Sequence, residues 1–176
     1  MERSRAMHTE STVGPITRLL ADDHVRLDRL LRTAVADVDH VDETVYAEFR
    51  RGLLRHISME EKVLLPAAQR ARNGEPLPIA ARLRLDHGAI VALLVPRPTA
   101  PIVAALRKIL TQHNQIEEGP DGLYATCDRL LGDDREAVVA ALRATPEVPV
   151  HQLADPDAVM GATRRALERA GYVDLL

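Results

Sequence analysis

Apolar residues recur along this chain at intervals of three and four, the period of helices that turn one face to a core. From Pro15 onward, Ile16, Leu20, His24, Leu27, Leu31 and Ala34 share one stripe, with Asp and Arg on the remaining circumference. This predicts an amphipathic helix with proline in its first turn. Asp42 is the expected N-cap of a second helix, whose period starts at Val45 and ends at the stop signal Asn73-Gly74. Phe49, Leu53, His56, Glu60, Leu64 and Ala67 fall on its inward face. Pro66 lacks an N–H and crowds the preceding turn, so a bend is expected just beyond His56 and Glu60. EPLP opens a third helix with Leu83, His87, Ile90 and Leu94 in line. After the proline-rich break PRPTAP, a fourth begins near Ile102 and aligns Val103, Leu106, Leu110, His113 and Glu117.

Four such helices with short links favour antiparallel neighbours. The expected fold is all-α, an up-down-up-down four-helix bundle over residues 14–131, preceded by a flexible tail at 1–13. Residues 132–176 are expected as a C-terminal helical extension: the short helix DDREAVVAALRAT, the turn-rich PEVPVHQLADP, and a helix over Pro156–Ala170 capped by Asp155. Val159, Thr163, Ala166 and Ala170 give that last helix a modest apolar side. It either folds back on the bundle or offers a surface to a protein partner or a second copy of the chain.

Composition narrows the class. At 176 residues the chain suits one domain, and its 46% apolar and 28% charged residues match a soluble globular protein. Aromatics are only 2%, so the core must be aliphatic, which suits packed helices. A net charge of -3 supplies no general attraction for nucleic acid. Cys127 is the only cysteine, which rules out an intrachain disulfide and makes a reducing compartment the default. No apolar stretch follows the N-terminal charges, so no signal peptide is expected, and the run Ala89–Val95 is too short to span a membrane. The expected location is the cytoplasm.

The candidate chemistry lies in an internal repeat. Superposing His24 on His87 also matches Asp23 with Asp86, Leu20 with Leu83, and Leu30-Leu31 with Leu93-Leu94. Likewise His56-x3-Glu60-Glu61 matches His113-x3-Glu117-Glu118. Four steps on a helix return nearly to the same azimuth, so each His and Glu point into the core together. A buried carboxylate needs a charged or hydrogen-bonding partner, and a metal ion would meet both side chains. His24, His56, Glu60, His87, His113 and Glu117 are therefore the candidate ligands. Four imidazoles and two carboxylates suit a pair of first-row metals; calcium or magnesium would not need the imidazoles, and structural zinc more often uses thiolates and stops at four ligands. With both glutamates and one oxygen bridging, two six-coordinate ions would keep room for water, O2, NO or peroxide. Iron combines this donor mixture with redox reach.

In order, DDHVRLDRLL, HISMEEKVLLP, LDHGAI and HNQIEE resemble a hemerythrin-like (HHE cation-binding) domain across about residues 14–131. The resemblance implies that the six residues above ligate a non-haem di-iron centre, two iron ions joined by an oxo or hydroxo bridge. Oxygen-carrying members use more histidines; here the third helix supplies only one inward histidine and the fourth ends its motif with Glu rather than Asp. The sparser set is similar to that of sensors of oxygen, iron or nitric oxide, or of proteins with weak oxidase or peroxidase activity. A ferritin-like carboxylate centre, the nearest rival, would use Glu-x-x-His with the glutamate first. Three functions follow as expectations: binding or sensing O2, NO or peroxide; catalytic reduction of those molecules; or a metal-stabilised interaction module.

The flanking residues carry plainer expectations. Asp23 and Asp86 are read as solvated or salt-bridged, with a reach to a histidine on a neighbouring helix as the other reading. Glu61 and Glu118 are expected in solvent, with substitution as a ligand under a different helix rotation as the other reading. Tyr124 falls seven residues past Glu117, nominally on the same face, where it could hydrogen-bond an iron-bound oxygen species, but Gly119-Pro120 breaks the helical count, so ordinary packing is the favoured reading. Cys127 reads as a small buried hydrophobe, and His8, His40 and His151 as exposed histidines without a metal.

Overall fold

A glycine, a proline and a distant carboxylate set where the first helix begins. In the computed structural model, which describes residues 13–37 and 40–176, α1 spans Pro15–Ala34. Asp128 accepts hydrogen bonds from the backbone of Ile16 (3.1 Å) and Thr17 (2.9 Å) and from the Thr17 hydroxyl (2.6 Å). It thus meets donors that a helix start leaves unpaired. Gly14 makes room, since a Cβ there would fall 2.2 Å from the Asp128 carboxylate. The expected tail and His8 lie outside the described residues, apart from Val13.

Asp42 caps α2 (Glu43–Met59) by accepting from the Thr44 and Val45 N–H groups, both at 3.0 Å. The helix then widens into a π-helical turn, Glu60–Leu64, and resumes as α3, Leu65–Ala71. Pro66 accounts for the change. Placed mid-helix it would remove a bond and collide with the carbonyl one turn back. Instead Leu65 N–H bonds Glu60 across the wide turn, and Pro66 occupies the first turn of α3, where a missing N–H is harmless. The disturbance expected beyond His56 and Glu60 therefore begins at Glu60 itself.

The remaining elements are α4 (Ala80–Leu93), α5 (Ala100–Glu118), α6 (Leu123–Leu131), a 3-10 turn (Gly132–Asp134), α7 (Arg135–Arg143) and α8 (Pro156–Arg169). On α5, Ile109 is buried while Leu110 is only partly so, a small rotation from the expected stripe.

The core is split in two by a polar layer. One cluster contains Leu27 and Leu31 of α1, Phe49 and Leu53 of α2, Ile90 and Leu93 of α4, and Ile102 and Leu106 of α5. The other contains Ile16 and Leu20 of α1, Leu64 of the wide turn, Leu83 of α4, and Leu123 and Tyr124 of α6. Helix α1 runs from the second cluster to the first, α2 returns, α4 repeats the first direction and α5 returns. That alternation is the expected up-down-up-down bundle. His24, His56, His87 and His113 each lie where their helix passes between the clusters.

Helix α8 folds back along α4. Leu167, Ala170 and Tyr172 join the first cluster, Thr163 Oγ1 donates to the Ala92 carbonyl (3.2 Å), and Asp155 caps the helix by accepting from Asp157 N–H (2.9 Å). Ahead of it, Ala154 exchanges backbone bonds of 3.0 Å with Val95 and Arg97. No helix among the described residues is long and apolar enough to cross a membrane.

Candidate metal centre

Between the two apolar clusters the structure brings all six sequence-predicted residues together. Glu60 and Glu117 are 0% exposed, and His24, His56, His87 and His113 are buried beside them. Their ligand atoms form two sets of four, each within 4.8 Å: His24, His56, Glu60 and Glu117, and Glu60, His87, His113 and Glu117. Both glutamates belong to both sets. Glu60 Oε1 lies 3.4 Å from His56 Nε2, while its Oε2 lies 3.1 Å from His87 Nε2. Glu117 divides likewise, with Oε2 3.5 Å from His24 Nε2 and Oε1 3.0 Å from His113 Nε2.

The other nitrogen of each imidazole meets a carboxylate from the next helix. Asp23 of α1 meets His56 Nδ1 (2.9 Å), and Glu61 in the wide turn after α2 meets His87 Nδ1 (2.7 Å). Asp86 of α4 meets His113 Nδ1 (3.4 Å), and Glu118 of α5 meets His24 Nδ1 (2.5 Å), closing a ring around the bundle. Each carboxylate is the chain neighbour of a candidate ligand. With Nδ1 engaged, every Nε2 faces inward. Glu118 is exposed, as expected, and Glu61 half-buried, yet each also engages a histidine; Asp23 and Asp86 follow the second of their two readings while also pairing Arg26 and Arg82.

Crowding acidic groups around imidazoles decides their protonation. Burial opposes a charged His56, but Glu60 and Asp23 outweigh it and push its pKa up to about 10. His87 is buried too, and the carboxylates of Glu117, Glu60 and Glu61 close around it raise it to about 11. Against burial, Asp86 and Glu117 raise His113 to about 9. Burial of Glu60 is likewise outweighed by His56 and His87, which hold its carboxyl well below the usual range. The protein alone thus holds protons where a cation would stand.

Tyr124 follows the less favoured of its two readings and reaches the centre. Gly122 lets the chain turn tightly under the end of α5, since a Cβ there would fall 2.5 Å from the Glu117 carbonyl oxygen. Helix α6 then carries the fully buried Tyr124 back into the polar layer. Its hydroxyl lies 2.6 Å from Glu60 Oε1, 3.1 Å from Glu117 Oε2, and 3.2 Å from Nε2 of both His24 and His56. Burial and the charges of Glu117 and Glu60 keep its own proton firmly bound. The signal was its seven-residue spacing from Glu117, hidden by the break at Gly119-Pro120. His40 and His151 are exposed, as expected, and Cys127 is buried.

The residues fit a metal. Glu60 Oε2, His87 Nε2 and Glu117 Oε1 are buried without a hydrogen-bond partner, although they converge on one another. Buried polar atoms are seldom left so, and a cation accepting their lone pairs would satisfy all three. A cavity of about 400 Å³ reaches the centre's edge at His24, walled by Leu27, Leu31, Phe49, Leu53 and Leu110.

The family model described as hemerythrin HHE cation binding domain matches residues 16–120. Comparison with curated proteins and with solved structures gives no match.

Proposed function

Since the chain belongs to the hemerythrin HHE cation-binding domain family, we propose that it binds two non-haem iron ions and uses them to bind or sense O2, NO or peroxide in the cytoplasm. The observation that carries this reading is the sharing of Glu60 and Glu117 between two four-atom sets, one carboxylate oxygen to each. His24 and His56 would complete one ion's protein ligands, His87 and His113 the other's. Imidazole with carboxylate is the donor mixture of non-haem iron rather than of calcium or magnesium.

When bound, the iron pair supplies redox chemistry and an exchangeable position for a small ligand. The protein does the rest. Asp23, Glu61, Asp86 and Glu118 fix the imidazoles in the orientation that turns Nε2 inward. The apolar clusters on either side keep bulk water out, while the cavity at His24 gives a small neutral molecule an approach between α1, α2 and α5.

The test is the absorbance of anaerobically iron-loaded protein before O2, after O2 and after argon purging. A charge-transfer band that appears with O2 and disappears on purging supports reversible binding. A band that persists moves the function to redox sensing or to peroxide and NO chemistry. Protein that retains no iron overturns the reading.

A further inference from the structure

We propose that Tyr124 is itself a metal ligand, so that the two cation sets are unequal: the first gains a phenolic oxygen and the second does not. This rests on the two-cation reading above.

The hydroxyl oxygen stands 3.2 Å from His24 Nε2, 3.2 Å from His56 Nε2, 2.6 Å from Glu60 Oε1 and 3.1 Å from Glu117 Oε2. These are the four residues of the first set. Among the described residues its hydrogen bonds go to that set alone. A tyrosine serving only the core needs one acceptor for its single proton. Adjacent donors on a six-coordinate ion with bonds of about 2.1 Å stand about 3 Å apart. The four separations are of that size, so the oxygen is spaced as a fifth donor would be from four others.

The second set differs in the complementary way. The centre's three buried atoms without a hydrogen-bond partner, Glu60 Oε2, His87 Nε2 and Glu117 Oε1, lie on the side of His87 and His113 rather than that of Tyr124. The placement of the phenol is also built into the fold. Gly122 permits the close turn into α6, and Asp128, one turn beyond Tyr124, ties α6 to the start of α1. On loading, the phenolic O–H bond breaks, an oxygen–metal bond forms and the proton passes to water. The first ion then carries one more anionic donor than the second.

The experiment compares full-length wild type with Tyr124→Phe, loaded with iron and oxidised to the ferric state. It reads iron per chain, the visible spectrum and the resonance Raman spectrum excited within any visible band. Expected is a phenolate-to-iron charge-transfer band in wild type with enhanced tyrosine ring vibrations, both absent from Tyr124→Phe. The Raman signature in wild type stands even where the variant folds poorly. Wild type holding two irons with no tyrosine enhancement would overturn the proposal. So would wild type holding one iron while Tyr124→Phe takes two, since the hydroxyl would then occupy the first set in place of a cation. Wild type holding no iron would instead bring down the two-cation reading itself.

Discussion

Asp23 Oδ2 lies 2.9 Å from His56 Nδ1, although Asp23 is on α1 and its chain neighbour His24 faces the same set of ligand atoms. The pattern repeats at every corner of the bundle: the residue beside one candidate ligand orients a ligand on the next helix. The inward positions, with one chain neighbour at each corner, thus fix both the centre and its surroundings.

Removing one corner should weaken the metal without dismantling the fold. Asp23→Ala is expected to lower metal affinity about 10–100-fold, the usual cost of losing a carboxylate behind a ligand histidine. Chelator competition measures it. Unchanged affinity would mean that packing alone orients His56.

Protons and cations compete for the same atoms. His56, His87 and His113 are raised to about 10, 11 and 9 in the folded, metal-free protein. Their unfolded values are about 6.5. The stability they contribute is therefore fully present below about pH 6.5 and lost as pH rises through about 9 to 11. Denaturant unfolding of metal-free protein should show lower stability at pH 10 than at pH 7. Apparent metal affinity should run the other way, rising with pH. A metal affinity indifferent to pH would show that these imidazoles carry no displaceable protons.

Asp128 should matter to stability although it touches no candidate ligand. It satisfies two backbone donors and a hydroxyl at the start of α1. Asp128→Ala is expected to cost about 1–2 kcal/mol, the upper range for a lost N-cap, read from urea unfolding. A loss below about 0.5 kcal/mol would mean that water replaces the cap.

Much of this was legible beforehand because helical geometry is local. His56 with Glu60, and His113 with Glu117, share a face whatever the rest of the chain does, and His24 and His87 sit inside unbroken apolar stripes. Glu61 and Glu118 were not legible: they point about 100° away from their neighbours, and only the packing of the next helix shows that a histidine waits there. Tyr124 was legible only as the less favoured of two readings, for a different reason. Gly119-Pro120 ends α5, and nothing in the pattern states how far the chain turns before α6 resumes. The wide turn at Glu60–Leu64 is a shift in hydrogen-bond register, to which Pro66 gave the cause but not the form.

Cys127 should stay inert. It is buried beside Asp128 and Glu60, and burial together with their charge pushes its thiol up to about 12. At pH 8 the nucleophilic thiolate is therefore negligible. Iodoacetamide should leave the native protein unmodified and label it fully once unfolded; rapid native labelling would show that α6 opens readily.

The shared carboxylates offer the sharpest check. Iron per chain should be measured after anaerobic loading and desalting, for wild type and for Glu60→Ala and Glu117→Ala variants that retain their helical circular dichroism. Two irons per wild-type chain are expected, with each substitution weakening both ions and bringing the content well below one. A wild-type chain that keeps no iron, or a Glu60→Ala chain that still keeps both, would contradict a centre bridged by Glu60 and Glu117.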